Sequence, residues 1–209
     1  MRATRTVVIS VSMSLDEYLA DHGFTRLEGH TNQEPREVAV LEQLASRDGV
    51  QRILEIGFNA GHSASLFLSA NPRCHVLSFD LGWHQYVEAG KAFIDRSYPG
   101  RHTLVLGDST ETVLKHDADV FYDLIFIDGG HQYDVARQDL ANCRRFAHPK
   151  TVVAMDDTIH SEAMQTSWAI WTVGPTKAWR EALTAGTVIE TSHIDFGPGR
   201  GISWGHYRF

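Results

Sequence analysis

Acidic residues recur at or directly after short apolar runs along this sequence. The set comprises Glu55, Asp80, Asp108, Asp128, Asp156 and Asp157. Apolar runs that alternate with helical patterns predict buried parallel strands, whose carboxyl ends meet at one edge of a sheet and bind ligands there. Carboxylates that converge on one crevice repel each other unless a cation gathers them or their pKa values separate. We therefore expect a ligand or cation site at this edge.

The aspartates after the predicted fourth and fifth strands form the sharpest group. Asp128 follows the run 122–127, and Asp156 and Asp157 follow the run 151–155. Neighbouring strands would bring the three side chains together, and three hard oxygen donors suit Mg²⁺. Without a metal, the acidic pair would be a helix cap and a ligand contact.

His131 lies three residues after Asp128. An imidazole with an unperturbed pKa of about 6.5 can accept a proton at neutral pH, so His131 is a candidate general base. The alternative is a residue at a helix N-terminus that bonds a carboxylate.

A glycine loop follows the first apolar run. Gly57 and Gly61 are four residues apart, Asn59 stands where a dinucleotide-binding loop has its middle glycine, and Ser63 can begin a helix. Gly57 can adopt a positive φ, and Gly61 would let the backbone approach a ligand closely. The alternative is a turn that binds nothing.

The segment E-I-G-x-x-x-G-x-S, residues 55–63, resembles the first motif of class I S-adenosylmethionine-dependent methyltransferases, in the form found in O-methyltransferases. The resemblance implies that this loop passes under the methionine part of the cofactor, with Glu55 near its amino group. Gly57, Asn59, Gly61 and Ser63 are the other predicted contacts of this segment.

Three further positions are candidate cofactor contacts. Asp80 ends the second strand a little over 20 residues after the glycine loop, where a carboxylate can accept both ribose hydroxyls; the alternative is a helix cap. Asp108 resembles the family's contact to the adenine amino group, and Ser109 either shares that role or caps the next helix. Trp83 would flank the adenine, judging from its position alone.

The metal pattern resembles that of catechol-type O-methyltransferases, in which an Asp ends the fourth strand and an acidic pair ends the fifth. Those enzymes carry a lysine where this chain has His131. The segments D-G-G-H-x-Y (128–133) and M-D-D-T (155–158) look closer to bacterial small-molecule and sugar O-methyltransferases. The resemblance implies methyl transfer to a small hydroxylated acceptor, with Mg²⁺ acidifying the acceptor hydroxyl and with Asp128 and His131 taking part in catalysis.

Alternating strand and helix patterns after residue 51 position these groups, and they predict an α/β fold. The resemblance implies a Rossmann-like, mostly parallel seven-stranded sheet with helices on both faces and a C-terminal antiparallel hairpin. We expect one methyltransferase domain over 1–209, with an N-terminal helical cap region (1–50) and a core (51–209). Residues 1–12 read as a lead-in or a marginal strand. Ser14 with Glu17 predicts a helix start, and Pro35 predicts another.

The composition of the chain limits the kinds of partner and compartment that we expect. The 209 residues are 43% apolar and 22% charged, with a formal net charge of −7, which disfavours nucleic acid. No run approaches the about 20 apolar residues of a membrane span. Two cysteines are too few for a disulfide framework, so we expect a reduced, cytoplasmic protein. The resemblance makes a homodimer possible.

The sequence is compatible with several alternatives. His30, Asn32 and Glu34 either line the acceptor pocket or lie in a solvated loop. Trp168 and Trp171 either form a lid with His160 or pack against the sheet. The competing functions are a metal-independent methyltransferase of N or carboxylate acceptors and a non-catalytic S-adenosylmethionine or nucleotide-binding module. An NAD-dependent oxidoreductase is disfavoured by the glycine spacing.

Overall fold

The computed structural model describes residues 13–209, and the prediction for residues 1–12 lies outside this part of the chain. Seven strands form one sheet. They are β1 (Arg52–Ile56), β2 (His75–Asp80), β3 (His102–Leu106), β4 (Tyr122–Ile127), β5 (Ala147–Asp156), β6 (Val188–Gly197) and β7 (Arg200–Tyr207).

The strand order is β3-β2-β1-β4-β5-β7-β6. The first five strands pair in parallel, and β7 pairs antiparallel with both β5 and β6. The predicted mostly parallel sheet with a C-terminal hairpin is confirmed. The order reverses between β1 and β4, so the crevice beyond their carboxyl ends is the place where an open α/β sheet binds ligands.

Seven α-helices surround the sheet within the described residues. They are α1 (Leu15–Asp21), α2 (Pro35–Ala45), α3 (His62–Ala70), α4 (Tyr86–Ser97), α5 (Ser109–Lys115), α6 (Tyr133–Cys143) and α7 (Val173–Thr184). Two predicted helix starts are confirmed: Ser14 and Glu17 form a capping box at α1, and Pro35 is the first residue of α2. Helix α7 begins at Val173 and has Pro175 in its first turn.

Apolar side chains fill both faces of the sheet. Helices α1 to α4 cover one face, where Phe67 and Ile94 are fully buried, and α5 to α7 cover the other, where Phe146 and Trp179 are fully buried. Both cysteines are buried and unpaired. Among residues 13–209, no helix combines the length and the apolar character needed to cross a bilayer.

Candidate active site

The glycine loop after β1 lies against the end of β4. Gly57 has a φ of +94°, and a Cβ there would lie 1.9 Å from the carbonyl oxygen of Asp128. The Asp128 amide donates to the Ile56 carbonyl at 2.9 Å, which continues the pairing of β1 with β4. The loop and the first residue of the acidic group therefore form one packed unit.

The second glycine of the loop is needed for packing within the protein. Gly61 has a φ of +92°, and a Cβ there would lie 2.8 Å from Cζ of Phe58. The space that we expected a ligand to use on this side is therefore occupied by the Phe58 ring. Helix α4 braces the loop from outside, because a Cβ at Gly90 would lie 2.2 Å from the Ala60 carbonyl oxygen.

Glu55 lies beneath the loop with no exposed surface. Its carboxylate accepts hydrogen bonds from the hydroxyls of Ser63, at 2.5 Å, and Ser78. Burial raises the pKa of Glu55 to about 7, although both hydroxyls oppose the shift. The carboxylate thus joins β1, β2 and the start of α3, and its predicted contact with a cofactor stays a prediction.

Asp80 organises the loop from the end of β2. Its carboxylate accepts from the amide of Asn59 at 2.8 Å and from that of Gly82 at 2.7 Å. Asp80 caps no helix, since α4 begins at Tyr86. Asn59 adopts a φ of +51° and donates from its side chain to the Gly29 carbonyl, while its buried Oδ1 has no partner among the described residues.

The end of β3 differs in one detail from the sequence prediction. Asp108, not Ser109, is the N-cap of α5, because its carboxylate accepts from the Thr110 amide at 2.9 Å and from the Thr110 hydroxyl at 2.7 Å. Ser109 is the first residue of the helix. Trp83 lies in the loop after β2 and is 80% exposed, so its indole has a free surface.

Two members of the predicted acidic group, Asp128 and Asp157, come together with His131 at the ends of β4 and β5, whereas Asp156 lies outside this cluster. Ile127 and Met155 are paired in register, which brings the residues that follow them close together. Asp128, His131 and Asp157 each offer a ligand atom within 4.8 Å of the others. His131 Nε2 lies 3.0 Å from Oδ2 of Asp157, whose backbone adopts a left-handed φ of +55°.

Burial and neighbouring charges shift the pKa values of the side chains around this pocket. Burial, followed by the charges of Asp156 and Asp157, raises the pKa of Asp128 well above its ordinary value. Burial, followed by the charge of Glu37, does the same for the pKa of Asp156. The hydrogen bond to Asp157 raises the pKa of His131. Asp128, His131 and Asp157 line one small pocket, and Asp156 and the apolar Met155 line it as well.

Glu37 was missed by the sequence analysis. It is 1% exposed in α2, and its Oε2 lies 3.5 Å from Nη2 of Arg200. Burial, followed by the charge of Asp128, raises the pKa of Glu37 to about 8, against the opposing effect of Arg200. A signal existed, because Glu37 shares the buried face of α2 with Val40, Leu41 and Leu44 at helical spacing. A carboxylate is almost never fully buried on such a face unless it is paired.

The two tryptophans lie beside the turn between β6 and β7. Trp171 donates from its indole nitrogen to the Gly199 carbonyl at 3.1 Å, and a Cβ at Gly199 would lie 3.2 Å from the Trp168 ring. Both therefore pack on the turn between β6 and β7, and Trp168 remains 58% exposed.

Two of the candidate pocket residues before β1 make contacts within the protein. Glu34 caps α2 by accepting from the Arg36 amide at 3.0 Å. The His30 ring stacks on the ring of His62, the first residue of α3, at 3.9 Å.

The fold and the site together define a class of protein. The model of a methyltransferase domain matches residues 54–158, which is half of the chain and runs from β1 to the acidic pair. The chain belongs to this methyltransferase family. No curated protein sequence matches it.

Solved structures share the class I methyltransferase fold at low sequence identity. An O-methyltransferase from Bacillus cereus in complex with SAH is 18% identical, with a TM-score of 0.73 over 96% of this chain and 93% of that one. The O-methyltransferase TomG from Streptomyces achromogenes, in complex with SAM, is 16% identical, with a TM-score of 0.68 over 93% and 88%. Cofactor-bound Rv0187 from MTB is 21% identical, with a TM-score of 0.68 over 97% and 93%.

Proposed function

We propose that this protein is an S-adenosylmethionine-dependent O-methyltransferase that methylates a hydroxyl group of a small molecule with the help of Mg²⁺. The observation that carries the proposal is the packing of Gly57 against Asp128. It joins the loop expected under the methionine part of the cofactor to the acidic group expected to hold the acceptor. The SAM and SAH complexes of the similar structures support the choice of cofactor.

Several residues fit the cofactor. Gly61 precedes α3 without a side-chain cap, so the first amides of that helix are available for a ligand carboxylate. The unpartnered Oδ1 of Asn59 is a buried acceptor beside the loop. Asp80 would accept the ribose hydroxyls, Asp108 would contact the adenine end, and the exposed Trp83 ring would cover an adenine face.

The acidic group fits a divalent cation. Asp128 and Asp157 offer hard oxygen donors within one cluster, and Asp156 lines the same pocket. Burial, followed by neighbouring carboxylates, raises the pKa values of Asp128 and Asp156, and a bound cation would offset the repulsion among these carboxylates. A bound Mg²⁺ would lower the pKa of an acceptor hydroxyl and fix its orientation. His131 would complete the site, either as a nitrogen ligand of the cation or as a general base.

His131 would take the acceptor's proton. Asp157 holds its Nε2 at 3.0 Å and raises its pKa, which makes the imidazole a stronger base and stabilises the imidazolium that forms. The methyl group of a sulfonium is already activated, so alignment and deprotonation are the remaining tasks of the chain.

The test is calorimetric titration of S-adenosylhomocysteine, followed by Mg²⁺, into the wild type, Asp80→Ala, Asp157→Asn and Asp95→Asn. We expect micromolar binding of S-adenosylhomocysteine that Asp80→Ala weakens at least tenfold. We also expect an Mg²⁺ heat that Asp157→Asn removes. Asp95 is exposed on α4 and pairs with Lys91, so Asp95→Asn controls for loss of surface charge.

Each failure has its own meaning. An absence of S-adenosylhomocysteine binding would refute the cofactor assignment. Cofactor binding without an Mg²⁺ response would favour the metal-independent methyltransferase. A non-catalytic binding module would be favoured if the wild type and His131→Ala bind S-adenosylhomocysteine and Mg²⁺ equally well and neither methylates any hydroxylated acceptor.

A further inference from the structure

A β-bulge in β6 places a second group of ligating side chains on one face of the hairpin. Glu190 pairs with Gly205 and Ser192 pairs with Trp204, so Thr191 is the extra residue on the bulged strand. In a regular strand, residues three apart lie on opposite faces. The bulge cancels this alternation and brings Glu190 and His193 to the same face.

His160, from the loop after β5, completes the group. Its Nε2 lies 3.3 Å from Oε2 of Glu190, and Nδ1 of His193 lies 3.2 Å from Oε1 of the same carboxylate. The two imidazole rings stack with their centroids 3.8 Å apart and an interplanar angle of 7°. One ligand atom from each residue lies within 4.8 Å of the other two.

Neighbouring groups hold these ligands in place. The indole nitrogen of Trp179 donates to Oε2 of Glu190 at 2.7 Å, and the Ser203 hydroxyl lies 2.9 Å from Nε2 of His160. Asp195 accepts from the backbone amide of His160 at 3.0 Å, which anchors the loop to β6. The Trp179 contact is an outer hydrogen bond that would orient a ligating carboxylate, whereas Ser203 contacts the His160 Nε2 atom that faces Glu190, so an ion bound to Nε2 would replace the Ser203 contact.

We infer that His160, Glu190 and His193 form a binding site for a zinc-class divalent transition metal, separate from the acidic group at Asp128. Two imidazoles and one carboxylate suit Zn²⁺ and not the hard, oxygen-seeking Mg²⁺. Three protein ligands leave a coordination position open, and His193 is 43% exposed, so the ion has access from solvent. Metal binding needs neutral imidazoles, so the affinity of the site should fall at acidic pH.

The position of the site gives it a structural consequence. His160 follows Asp157 by three residues, while Glu190 and His193 belong to the hairpin. A metal bound here would fasten the loop that carries Asp157 to the C-terminal strands. This inference does not depend on the proposed methyl transfer.

The test is titration of Zn²⁺ into chelator-stripped full-length protein, with Co²⁺ absorption as a second probe. We expect the wild type to bind at least one equivalent with micromolar or tighter affinity, and His193→Ala to lose one equivalent. His75→Ala, which removes an exposed histidine at the start of β2, should bind as the wild type does. His131→Ala, titrated in parallel, counts any ion held at Asp128 and Asp157.

Equal stoichiometry and affinity in the wild type and His193→Ala would overturn the inference. Zn²⁺ should also raise the Tm of the wild type and of His131→Ala, because the ion binds the folded state. The increase should be smaller in Glu190→Gln, which keeps the size of the side chain and leaves the group at Asp128 intact. A Tm increase in Glu190→Gln and in His193→Gln equal to that of the wild type would likewise refute the site, even if His193→Ala did not fold.

Discussion

Gly57 and Asp128 are packed so closely that a Cβ on the glycine would lie 1.9 Å from the aspartate's carbonyl oxygen. They belong to different motifs, since Gly57 begins the loop after β1 and Asp128 begins the acidic group after β4. A distortion at one therefore reaches the other.

Gly57→Ala should damage both stability and binding. The left-handed φ alone costs about 1–2 kcal/mol, and the clash with the Asp128 backbone adds to it. We expect the free energy of unfolding in urea to fall by about 3 kcal/mol or more, with loss of S-adenosylhomocysteine binding. Gly49→Ala is the matched control, because Gly49 has a φ of +89° and no atom within 4 Å of a Cβ. Equal costs for the two variants would contradict the close packing.

The pKa of His131 should depend on Asp157. In metal-free protein we expect NMR titration to give a value above the ordinary 6.5 or so, and Asp157→Asn to lower it, because that variant removes the main cause of the shift. A histidine with a raised pKa stabilises the fold fully below its unfolded value and loses that contribution as pH rises through the folded value. The His102 ring, whose pKa burial lowers to about 4, is an internal reference. A His131 value that does not change in Asp157→Asn would contradict the pairing.

Asp139→Asn should stabilise the protein at neutral pH. Asp139 is fully buried in α6, and burial raises its pKa to about 6, against the opposing effect of the neighbouring Ser109 hydroxyl. An acid with a raised pKa favours the fold while protonated, so wild-type stability should fall as pH rises from about 4 to about 6.

The asparagine removes this slope, and we expect a gain of about 2–3 kcal/mol at pH 7.5, by urea denaturation. Asp134→Asn, at an exposed position of the same helix, should leave stability within about 0.5 kcal/mol. A parallel pH dependence in wild type and Asp139→Asn would show that Asp139 does not carry the shift.

Trp83→Ala should weaken cofactor binding without unfolding the protein. The side chain is 80% exposed, so its loss should change stability by no more than about 0.5 kcal/mol. If the indole flanks the adenine, stacking of this kind is worth about 1–3 kcal/mol, and calorimetry should show about tenfold weaker S-adenosylhomocysteine binding. Trp168→Ala, the other exposed tryptophan, should bind normally. Unchanged affinity in Trp83→Ala would remove Trp83 from the site.

Much of the fold was predictable because the sequence carries local signals. The apolar runs marked the seven strands, Gly57 marked the turn after β1, and the register of β4 with β5 follows from neighbouring parallel strands. Asp128 and Asp157 accordingly lie together as predicted.

The missing parts depend on distant contacts. Glu37 reaches the acidic group only because α2 packs over the end of the sheet, and nothing local pairs it with Arg200. The group of His160, Glu190 and His193 requires a bulge at Thr191, and no residue type within β6 predicts that bulge. The N-cap of α5 is Asp108 and not the adjacent Ser109, because the local sequence rule is satisfied by either of these two capping side chains.

The contact between Gly90 and the Ala60 carbonyl has a consequence for the cost of binding. Helix α4 holds the loop in shape before any ligand arrives, so a cofactor would meet a surface that has already lost its conformational freedom. Ordering of the loop would then cost the cofactor little binding free energy. The amide of Gly61 donates to the Phe58 carbonyl at 2.7 Å, and it should exchange slowly with solvent deuterium even in the free protein.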